Sequence, residues 1–276
     1  MAWASRHDAV RALTREHEHA LEELLDTDRE VNLFLLGMLA QVPIERCHWY
    51  GLLDGDRVRA TALLLPGRLC VPFAPDAEDA SLLARHLARR EAPCMTVGPR
   101  EAVDRVWEEW GRARAPRRVF DQRLYVLREP PACGPDLRVR RARHEDWPVV
   151  ARYAVLMQLE DLGTDPSAED PRAHDRVVQD RIAAGRTWVV EDEGEIVYQI
   201  NTGTSLPWGC QVGGTYVPVP HRRRGWGTLG TAEVCGRLMK VHPLVTLHVN
   251  EANTPAVRAY ERVGFQRSAP FRLVTV

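Results

Sequence analysis

Several features that mark particular classes of protein are absent from this sequence. Its 37 basic and 38 acidic residues give a net charge of −1, so no general attraction to nucleic acid is expected. No apolar run reaches the roughly 18 to 20 residues that a membrane span needs, and the first residues contain no apolar signal-peptide core. We therefore expect a cytoplasmic protein that binds neither nucleic acid nor membranes.

Metal-binding and disulfide patterns are absent as well. The six cysteines are widely spaced and form no C-x-x-C pair, which argues against a zinc site and against a small disulfide scaffold. The histidines form one close pair, His17 and His19, and residues two apart on a helix do not share a face. The sequence therefore predicts free thiols and no bound metal.

What is present is the length and composition of an ordinary two-domain globular protein. The chain has 276 residues, of which 45% are hydrophobic and 27% are charged. The stretch REPPACGPD at 128–136 contains three prolines, and such a stretch can continue neither a strand nor a helix. We place a linker there, which predicts an N-terminal domain over residues 1–130 and a C-terminal domain over residues 137–276.

The two halves show a similar order of predicted elements: helix, several antiparallel strands, helix, strand, helix, strand. Among the predicted elements are helices over 14–40, 174–184, 226–240 and 254–263, strands over 118–127, 210–217 and 244–250, and a polar loop over 161–175. The predicted fold class is α/β. The C-terminal domain would hold a mostly antiparallel sheet flanked by helices, after an N-terminal α/β domain of similar element order.

The segment from Val217 to Thr228 has the clearest chemical pattern. A strand ends at Pro218 and Pro220, which cannot pair as central strand residues, so the strand must leave its neighbour and open the sheet. Three arginines and two glycines then lead into a helix, whose first N–H groups and dipole favour an anion. We interpret this segment as a pyrophosphate site.

One motif that binds a pyrophosphate is the dinucleotide-binding fingerprint. The stretch GWGTLG at 225–230 matches G-x-G-x-x-G, and Glu251 follows about 20 residues later. However, seven residues separate Val217 from Gly225, and the preceding strands are hairpin-linked and therefore antiparallel. Only 46 residues follow Gly230, too few for a doubly wound sheet. A nicotinamide-nucleotide site is therefore the weaker interpretation.

Two motifs in the right order and spacing carry another interpretation. The loop sequence Arg222-Arg-Arg-Gly225-Trp-Gly227 fits R/Q-x-x-G-x-G/A, and NEANTPAVRAYERVGF at 250–265 ends in A-Y-x-x-x-G-F. In both motifs, residues 137–276 resemble the GNAT (GCN5-related N-acetyltransferase) superfamily, and the whole chain is similar to a bacterial subgroup with an extra N-terminal domain. The resemblance implies the GNAT fold and acetyl transfer from acetyl-CoA to an amine.

The resemblance also implies roles for individual residues. Main-chain groups of Val217 and Val219 would pair with the pantetheine arm of acetyl-CoA as an added strand does. Tyr260 would protonate the departing thiolate, because a tyrosine keeps its proton at neutral pH; the alternative is that Tyr260 only packs its helix onto the sheet. The residues implied in cofactor binding are Val217, Val219, Arg222, Arg223, Arg224, Gly225, Trp226, Gly227, Thr228 and Asn253.

The sequence departs from the family at the general base. Some members have a glutamate eleven residues before the first arginine of the loop, where this chain has Gln211. A carboxamide cannot usefully accept a proton at neutral pH. Glu160, Asp161 and His248 are the remaining candidates, and an amine of low pKa would need no dedicated base. The acidic residues of the loop after 160 would suit a cationic amine, although a solvated loop would have the same composition.

The N-terminal half lacks the pyrophosphate pattern at the equivalent place. After the strand predicted over 68–74 the chain reads Pro75-Asp-Ala-Glu-Asp79, with three acids where the C-terminal half has three arginines. These charges would repel a pyrophosphate. We therefore expect this half to bind no cofactor and to act as a scaffold or as a wall on the acceptor side.

The sequence as a whole predicts an N-acetyltransferase that uses acetyl-CoA as a cosubstrate and no metal. The acceptor would be a primary amine of a small molecule or peptide. A non-catalytic acyl-CoA-binding regulatory protein stays open because of Gln211, and a nicotinamide-nucleotide-binding protein is the further alternative.

Overall fold

The computed structural model describes residues 9–65, 67–90, 93–111, 115–132 and 138–276, and it divides into two compact units. Unit 1 comprises the described residues up to Leu124 together with Ala269–Val276, and unit 2 comprises Tyr125–Ser268. This division differs from the domains proposed from the sequence, because the last residues of the chain belong to unit 1. Residues 133–136 of the proposed linker lie outside the described residues.

Unit 1 contains a sheet and four helices among its described residues. The strands are β1 (Ala9–Ala12), β2 (His48–Asp54), β3 (Arg57–Leu65), β4 (Leu69–Phe73), β5 (Met95–Pro99) and the first part of β6 (Arg118–Leu127), and the helices are α1 (Glu18–Asp26), α2 (Leu33–Gln41), α3 (Ala77–Leu87) and α4 (Arg100–Trp110). The sheet order is β1-β2-β3-β4-β5. Neighbours are antiparallel except β4 and β5, which are parallel.

The single helix predicted over 14–40 is wrong: the structure has two helices, α1 and α2, with a turn between them. Short polar side chains make this turn. The Asp28 carboxylate accepts a hydrogen bond from the Val31 N–H at 3.2 Å, and the Asn32 amide donates to the Leu25 carbonyl at 2.9 Å. Such side chains compete with the hydrogen bonds of a helix backbone, so the apolar pattern continues where the helix does not.

Unit 2 contains the second half of the elements. Its strands are β7 (Val139–Arg141), β8 (Thr187–Asp192), β9 (Glu195–Leu206), β10 (Gly209–Tyr216) and β11 (Val245–Asn250), and its helices are α5 (Trp147–Leu162), α6 (Pro171–Ala183), α7 (Trp226–Leu238) and α8 (Thr254–Val263). The sheet order is β7-β8-β9-β10-β11, antiparallel except for the parallel pair β10 and β11. The chain ends in β12 (Gln266–Thr275), whose residues Phe271–Thr275 pair with β5.

The two halves of the chain repeat one order of elements. Apart from short 3-10 turns, β1-α1-α2-β2-β3-β4-α3-β5-α4-β6 is followed by β7-α5-α6-β8-β9-β10-α7-β11-α8-β12. The predicted α/β class, with mostly antiparallel sheet and a similar order in both halves, is confirmed. The predicted loop over 161–175 is shorter, because Asp170 caps the N-terminus of α6 through the Ala173 N–H at 2.8 Å.

The sheet of unit 2 is covered on both faces. Successive strand residues point to opposite faces. One face packs on α7 and α8, through buried residues that include Tyr198, Ile200, Val234 and Val263. The other face packs on α5 and α6, through Val189, Ile196, Val150 and Val178. Within the described part of the chain, no helix is both long and apolar enough to cross a membrane.

Candidate active site

The two parallel strands of unit 2 pair only briefly and then separate. β10 and β11 are in register at Cys210↔Val245 and Gln211↔Thr246, and their pairing ends there. Since β10 continues to Tyr216, its edge beyond Gln211 is open to an added extended chain. The sequence predicted this opening from Pro218 and Pro220, and the structure starts it earlier along the strand.

The loop after β10 reaches α7 through backbone in the left-handed region. Arg223 has a φ of 63°, and Gly225, the N-cap of α7, has a φ of 86°. Glycine adopts this conformation without steric cost, and nothing lies within 4 Å of the position that a Cβ of Gly225 would occupy. The first N–H groups of a helix have no partner within it, so this exposed turn, with Arg224 next to it, favours an anion.

Arg222 is already engaged by other groups of unit 2. Its guanidinium donates to the Val217 carbonyl at 2.9 Å and to both carboxylate oxygens of Glu160 at 2.9 and 2.7 Å. It also lies over the Tyr216 ring, 5.6 Å from the ring centre. Arg222 therefore connects the end of α5 to the loop, rather than projecting freely toward an anion as Arg223 and Arg224 can.

The remaining loop residues implied in cofactor binding differ in exposure. The Trp226 side chain is buried in the core of unit 2, and the guanidinium of Arg138 lies 4.9 Å from its ring centre. Only the main chain of Trp226 can therefore face a ligand. Val219 is exposed, whereas Val217, Gly227 and Thr228 are partly buried along the open edge of the site.

Tyr260 lies on α8 with its side chain buried. Its ring packs edge-on against Phe265, with 6.0 Å between the ring centres. Burial raises the pKa of Tyr260 to about 12, and the charge of Asp161 acts in the same direction. The phenol is therefore protonated throughout the neutral range, as a proton donor must be.

Asn253 has a structural role at the start of α8. Its side-chain oxygen accepts a hydrogen bond from the Ala256 N–H at 3.3 Å and so caps the helix. Nearby, the Asn250 side chain accepts from the Ala252 N–H at 3.1 Å. A contact between Asn253 and a ligand would therefore use its amide N–H groups or its main chain.

The candidate bases fall into two places. Gln211 donates a hydrogen bond from its amide to Nδ1 of His248 at 3.2 Å, and burial lowers the pKa of His248 to about 4. Glu160 and Asp161 end α5; Glu160 binds Arg222, while desolvation and the neighbouring Glu160 raise the pKa of Asp161. Of these candidates, it is Asp161 whose charge acts on the pKa of Tyr260.

Two acids of the following loop have local partners. Asp165 accepts a hydrogen bond from the Ser167 N–H at 2.8 Å, and Asp170 caps α6. These acids therefore stabilise the segment between α5 and α6 and the start of α6. Sequence reasoning missed Tyr216, whose ring lies beneath the Arg222 guanidinium, as a site residue. The signal available was the polar pair Thr215-Tyr216 at the end of the strand, directly before Val217.

Unit 1 presents a different structure at the equivalent place. β4 and β5 also pair at two positions, but the Pro72 carbonyl oxygen lies 2.8 Å from where a Cβ of Gly98 would be, so the strands stay close. The Asp76 carboxylate accepts from the Glu78 N–H at 2.7 Å and caps α3. A carboxylate of the chain itself therefore occupies the helix start.

Metal and disulfide chemistry were not expected from the sequence. Over the described ranges, no group of three or more histidine, cysteine or acidic residues is placed to hold a metal ion. Cys47, Cys70, Cys94, Cys210 and Cys235 are free thiols, and Cys133 lies outside the described residues.

Comparison with known proteins gives two family matches along the chain. Residues 154–265 match the Acetyltransferase (GNAT) family, and residues 47–150 match a domain of unknown function (DUF4081). The first match covers α6 to α8, the strands between them and most of α5. No curated protein matches this sequence.

Solved structures of similar fold cover nearly the whole chain. A GCN5-related N-acetyltransferase from Sphaerobacter thermophilus is 18% identical with a TM-score of 0.63, over 96% of this chain and 94% of that one. A GNAT-family acetyltransferase from Colwellia psychrerythraea is 7% identical with a TM-score of 0.56, over 97% and 99%. A tandem GNAT protein from the clavulanic acid biosynthesis pathway is 15% identical with a TM-score of 0.59, over 97% and 98%.

At these identities the structural likeness establishes the fold, and the family match establishes which part of the chain carries the acetyltransferase motifs. The repeated order of elements agrees with two GNAT-like halves. Residues 154–265 are accordingly a GNAT-family acetyltransferase domain, which follows a domain of unknown function in the same chain.

Proposed function

We propose that unit 2 transfers an acetyl group from acetyl-CoA to a primary amine of a small molecule or peptide. The observation that carries this proposal is the separation of β10 from β11 after Gln211, next to the exposed N-terminus of α7. An extended pantetheine arm could pair with the open edge of β10, and a pyrophosphate would suit the start of α7.

Specific groups would hold the two ends of acetyl-CoA. Main-chain groups of Val217 and Val219 would pair with the pantetheine arm. The N–H groups of Arg224, Gly225, Trp226, Gly227 and Thr228 would bind the pyrophosphate, and the side chain of Arg223 would add positive charge. Arg222 would join them only after leaving the Val217 carbonyl, which it holds at 2.9 Å. Asn253 would contact the arm from the start of α8.

The chemistry would be direct attack of a neutral amine on the thioester carbonyl. A main-chain N–H of β10 would polarise that carbonyl, and Tyr260 would protonate the thiolate as it leaves. The burial that raises the pKa of Tyr260 to about 12 supports this role, because it keeps the proton on the phenol until the thiolate forms.

Of the candidate bases, Asp161 is better suited than His248 to accept the proton of the amine. His248, with a pKa lowered to about 4, would be a weak base. Asp161 has a raised pKa, and its charge acts on the pKa of Tyr260, so it fits this role better; a water molecule would carry the proton from the amine to its carboxylate. An amine of low pKa would need neither residue.

Thiol release from acetyl-CoA with a panel of small amines and peptides tests the proposal. We expect release that depends on both the amine and the enzyme. Binding of acetyl-CoA without thiol release for any amine would favour the regulatory alternative, which Gln211 motivates. Calorimetric titration with NAD is the control, and binding of NAD in preference to acetyl-CoA would contradict both.

A further inference from the structure

The Arg222 guanidinium holds two groups that belong to different elements of unit 2. Its Nε donates to the Val217 carbonyl at 2.9 Å, and its Nη2 donates to the two carboxylate oxygens of Glu160 at 2.9 and 2.7 Å. Val217 directly follows β10, whereas Glu160 lies in the last turn of α5. One side chain of the loop therefore ties the end of β10 to the end of α5.

The Glu160 carboxylate lies where a helix is least favourable to negative charge. The last turn of a helix carries the negative end of its dipole, and the last turn of α5 contains no basic residue. Among the described residues, Arg222 is the cation that pairs with Glu160. The Tyr216 hydroxyl also reaches Glu160, at 3.4 Å, but it is neutral. Glu160 therefore favours a positive partner, which Arg222 supplies in this structure.

The ion pair is suited to exchange with a ligand. The side chains of Arg222 and Glu160 are 39% and 45% exposed, and ion pairs this exposed change an equilibrium constant by no more than about fivefold. A pyrophosphate carries more than one negative charge and can accept two parallel hydrogen bonds from one guanidinium. A pyrophosphate at the start of α7 would therefore compete successfully with Glu160 for Arg222.

We propose that Arg222 couples the two substrate sites of unit 2: acetyl-CoA takes the guanidinium from Glu160, and the freed carboxylate binds a positively charged group of the acceptor. This inference rests on the proposed function. The reacting nitrogen must be neutral to attack the thioester, so the positive charge belongs to a second group. The acceptor is accordingly an amine with a further cationic nitrogen, as in a diamine.

The exchange has opposite consequences for the two ligands. Without acceptor, Glu160 competes for Arg222 and so weakens the binding of acetyl-CoA. With acetyl-CoA bound, the carboxylate at the end of α5 has lost its cation and attracts another. The same movement frees the Val217 carbonyl, which Arg222 otherwise occupies. By linkage, a cationic acceptor should strengthen cofactor binding by the factor by which the cofactor strengthens acceptor binding.

The first test measures the affinity of the full chain for CoA, which contains the pyrophosphate and has no acetyl group to transfer. We expect Glu160→Gln to tighten CoA binding about three- to fivefold in calorimetry, because Arg222 loses its competitor. In the Arg222→Gln background the same substitution should change the affinity by less than about 1.5-fold. A general loss of negative charge would instead act equally in both backgrounds.

Glu195→Gln is the matched control for Glu160→Gln. Glu195 is another exposed glutamate of unit 2, and it lies 3.1 Å from Nε2 of His221, the residue before Arg222. The substitution therefore removes the same charge beside the same loop without touching the Arg222 contact. CoA affinity should stay within about 1.5-fold of the wild type.

The second test compares 1,4-diaminobutane with butylamine as acceptors, since the two differ in the second amino group. We expect the wild type to have a kcat/KM at least about tenfold higher for the diamine. Glu160→Gln should remove most of this preference through KM, with kcat within about twofold, because the lost contact is made before and during the reaction alike. Glu195→Gln should keep the preference.

The outcomes separate this inference from the proposed function. Unchanged or weaker CoA binding in Glu160→Gln, an equal gain in both Arg222 backgrounds, or a diamine preference that is absent or survives Glu160→Gln would each overturn the inference and leave acetyl transfer standing. A wild-type chain that binds CoA but releases no thiol from acetyl-CoA with any amine would instead overturn the proposed function, and the inference with it.

Discussion

Arg222 shows that adjacent arginines of one motif can have different tasks. Its guanidinium holds the Val217 carbonyl and the Glu160 carboxylate, whereas Arg223 and Arg224 are exposed at the start of α7. Under the proposed function, the pantetheine arm would need the same carbonyl. Binding would therefore exchange an internal hydrogen bond for one to the ligand. Before that exchange, the two exposed arginines would supply most of the electrostatic attraction for the pyrophosphate.

Replacing Gly227 with aspartate tests the pyrophosphate site. A carboxylate at this place in the first turn of α7 would repel the pyrophosphate, so acetyl-CoA affinity should fall at least tenfold, about 1.4 kcal/mol. Isothermal calorimetry measures the change. Gly227→Ala is the matched control, because its Cβ would lie at an ordinary 3.7 Å from Val217. Unchanged affinity in a folded aspartate variant would remove this site assignment.

Replacing Tyr260 with phenylalanine tests the proton donor. Acetyl-CoA affinity should stay within about twofold while kcat falls at least tenfold, because the proton matters only as the thiolate leaves. Since the pKa of Tyr260 is raised to about 12, the wild type should lose no rate through this group between pH 6 and about pH 9.

Tyr125→Phe is the control for that substitution, because it removes the hydroxyl of another buried tyrosine of unit 2, one that donates to Glu261 at 3.0 Å. It should keep the wild-type rate. A Tyr260→Phe enzyme with wild-type turnover across the same pH range would show that Tyr260 only packs α8 onto the sheet.

At the scale of elements, local signals in the sequence located most strands and helices. The predicted strand over 118–127 and helix over 254–263 agree with β6 and α8 at both ends, because turn and cap residues bound them. Two features could not be found in this way. The break between α1 and α2 depends on side chains that bond to the backbone, and β1 depends on its pairing with β2.

The candidate site was predictable to the same extent. The glycines before α7 and the tyrosine of α8 belong to contiguous motifs, so sequence alone found them. The contact between Glu160 and Arg222 depends on residues brought together from distant parts of the chain. No local pattern encodes such contacts, and only the folded sheet shows them.

Gly230 sets the distance between α7 and β9. Because a Cβ there would lie 2.5 Å from two ring atoms of Tyr198, Gly230→Ala should force the helix away and destabilise the protein by about 1–3 kcal/mol. Urea unfolding measures this difference. Gly227→Ala, in the same helix and without such a contact, should leave the midpoint nearly unchanged. Equal midpoints for both variants would contradict this account of the packing.

At the scale of the whole molecule, one acetyl-CoA should bind per chain. In unit 1 the Asp76 carboxylate caps α3, the Pro72 carbonyl lies close to Gly98, and the buried Asp79 forms an ion pair with the partly buried Arg59. A pyrophosphate would meet negative charge there and no opening between β4 and β5. Calorimetric stoichiometry is the direct measurement. Two equivalent sites per chain would overturn this assignment of roles to the two halves.

Unit 2 begins at Tyr125, before the proposed linker, and Ala269–Val276 belong to unit 1. This division leads to a prediction about fragments of the chain. Tyr125 and Leu127 pack in the core of unit 2, although they precede the proposed linker, and Phe271–Thr275 pair with β5 of unit 1. A fragment of residues 137–276 would lack two core residues and would carry a strand without its partner.

We therefore expect the fragment of residues 137–276 to aggregate or to unfold at lower urea than a fragment of residues 125–268, which keeps Tyr125 and Leu127 and omits the unpaired end of β12. Both fragments contain the whole of the proposed site, so a difference between them would report on the core and not on ligand contacts. Size-exclusion chromatography and urea unfolding measure the two properties. A monomeric and fully active fragment of residues 137–276 would contradict the structural division, while the acetyl-transfer proposal would stand.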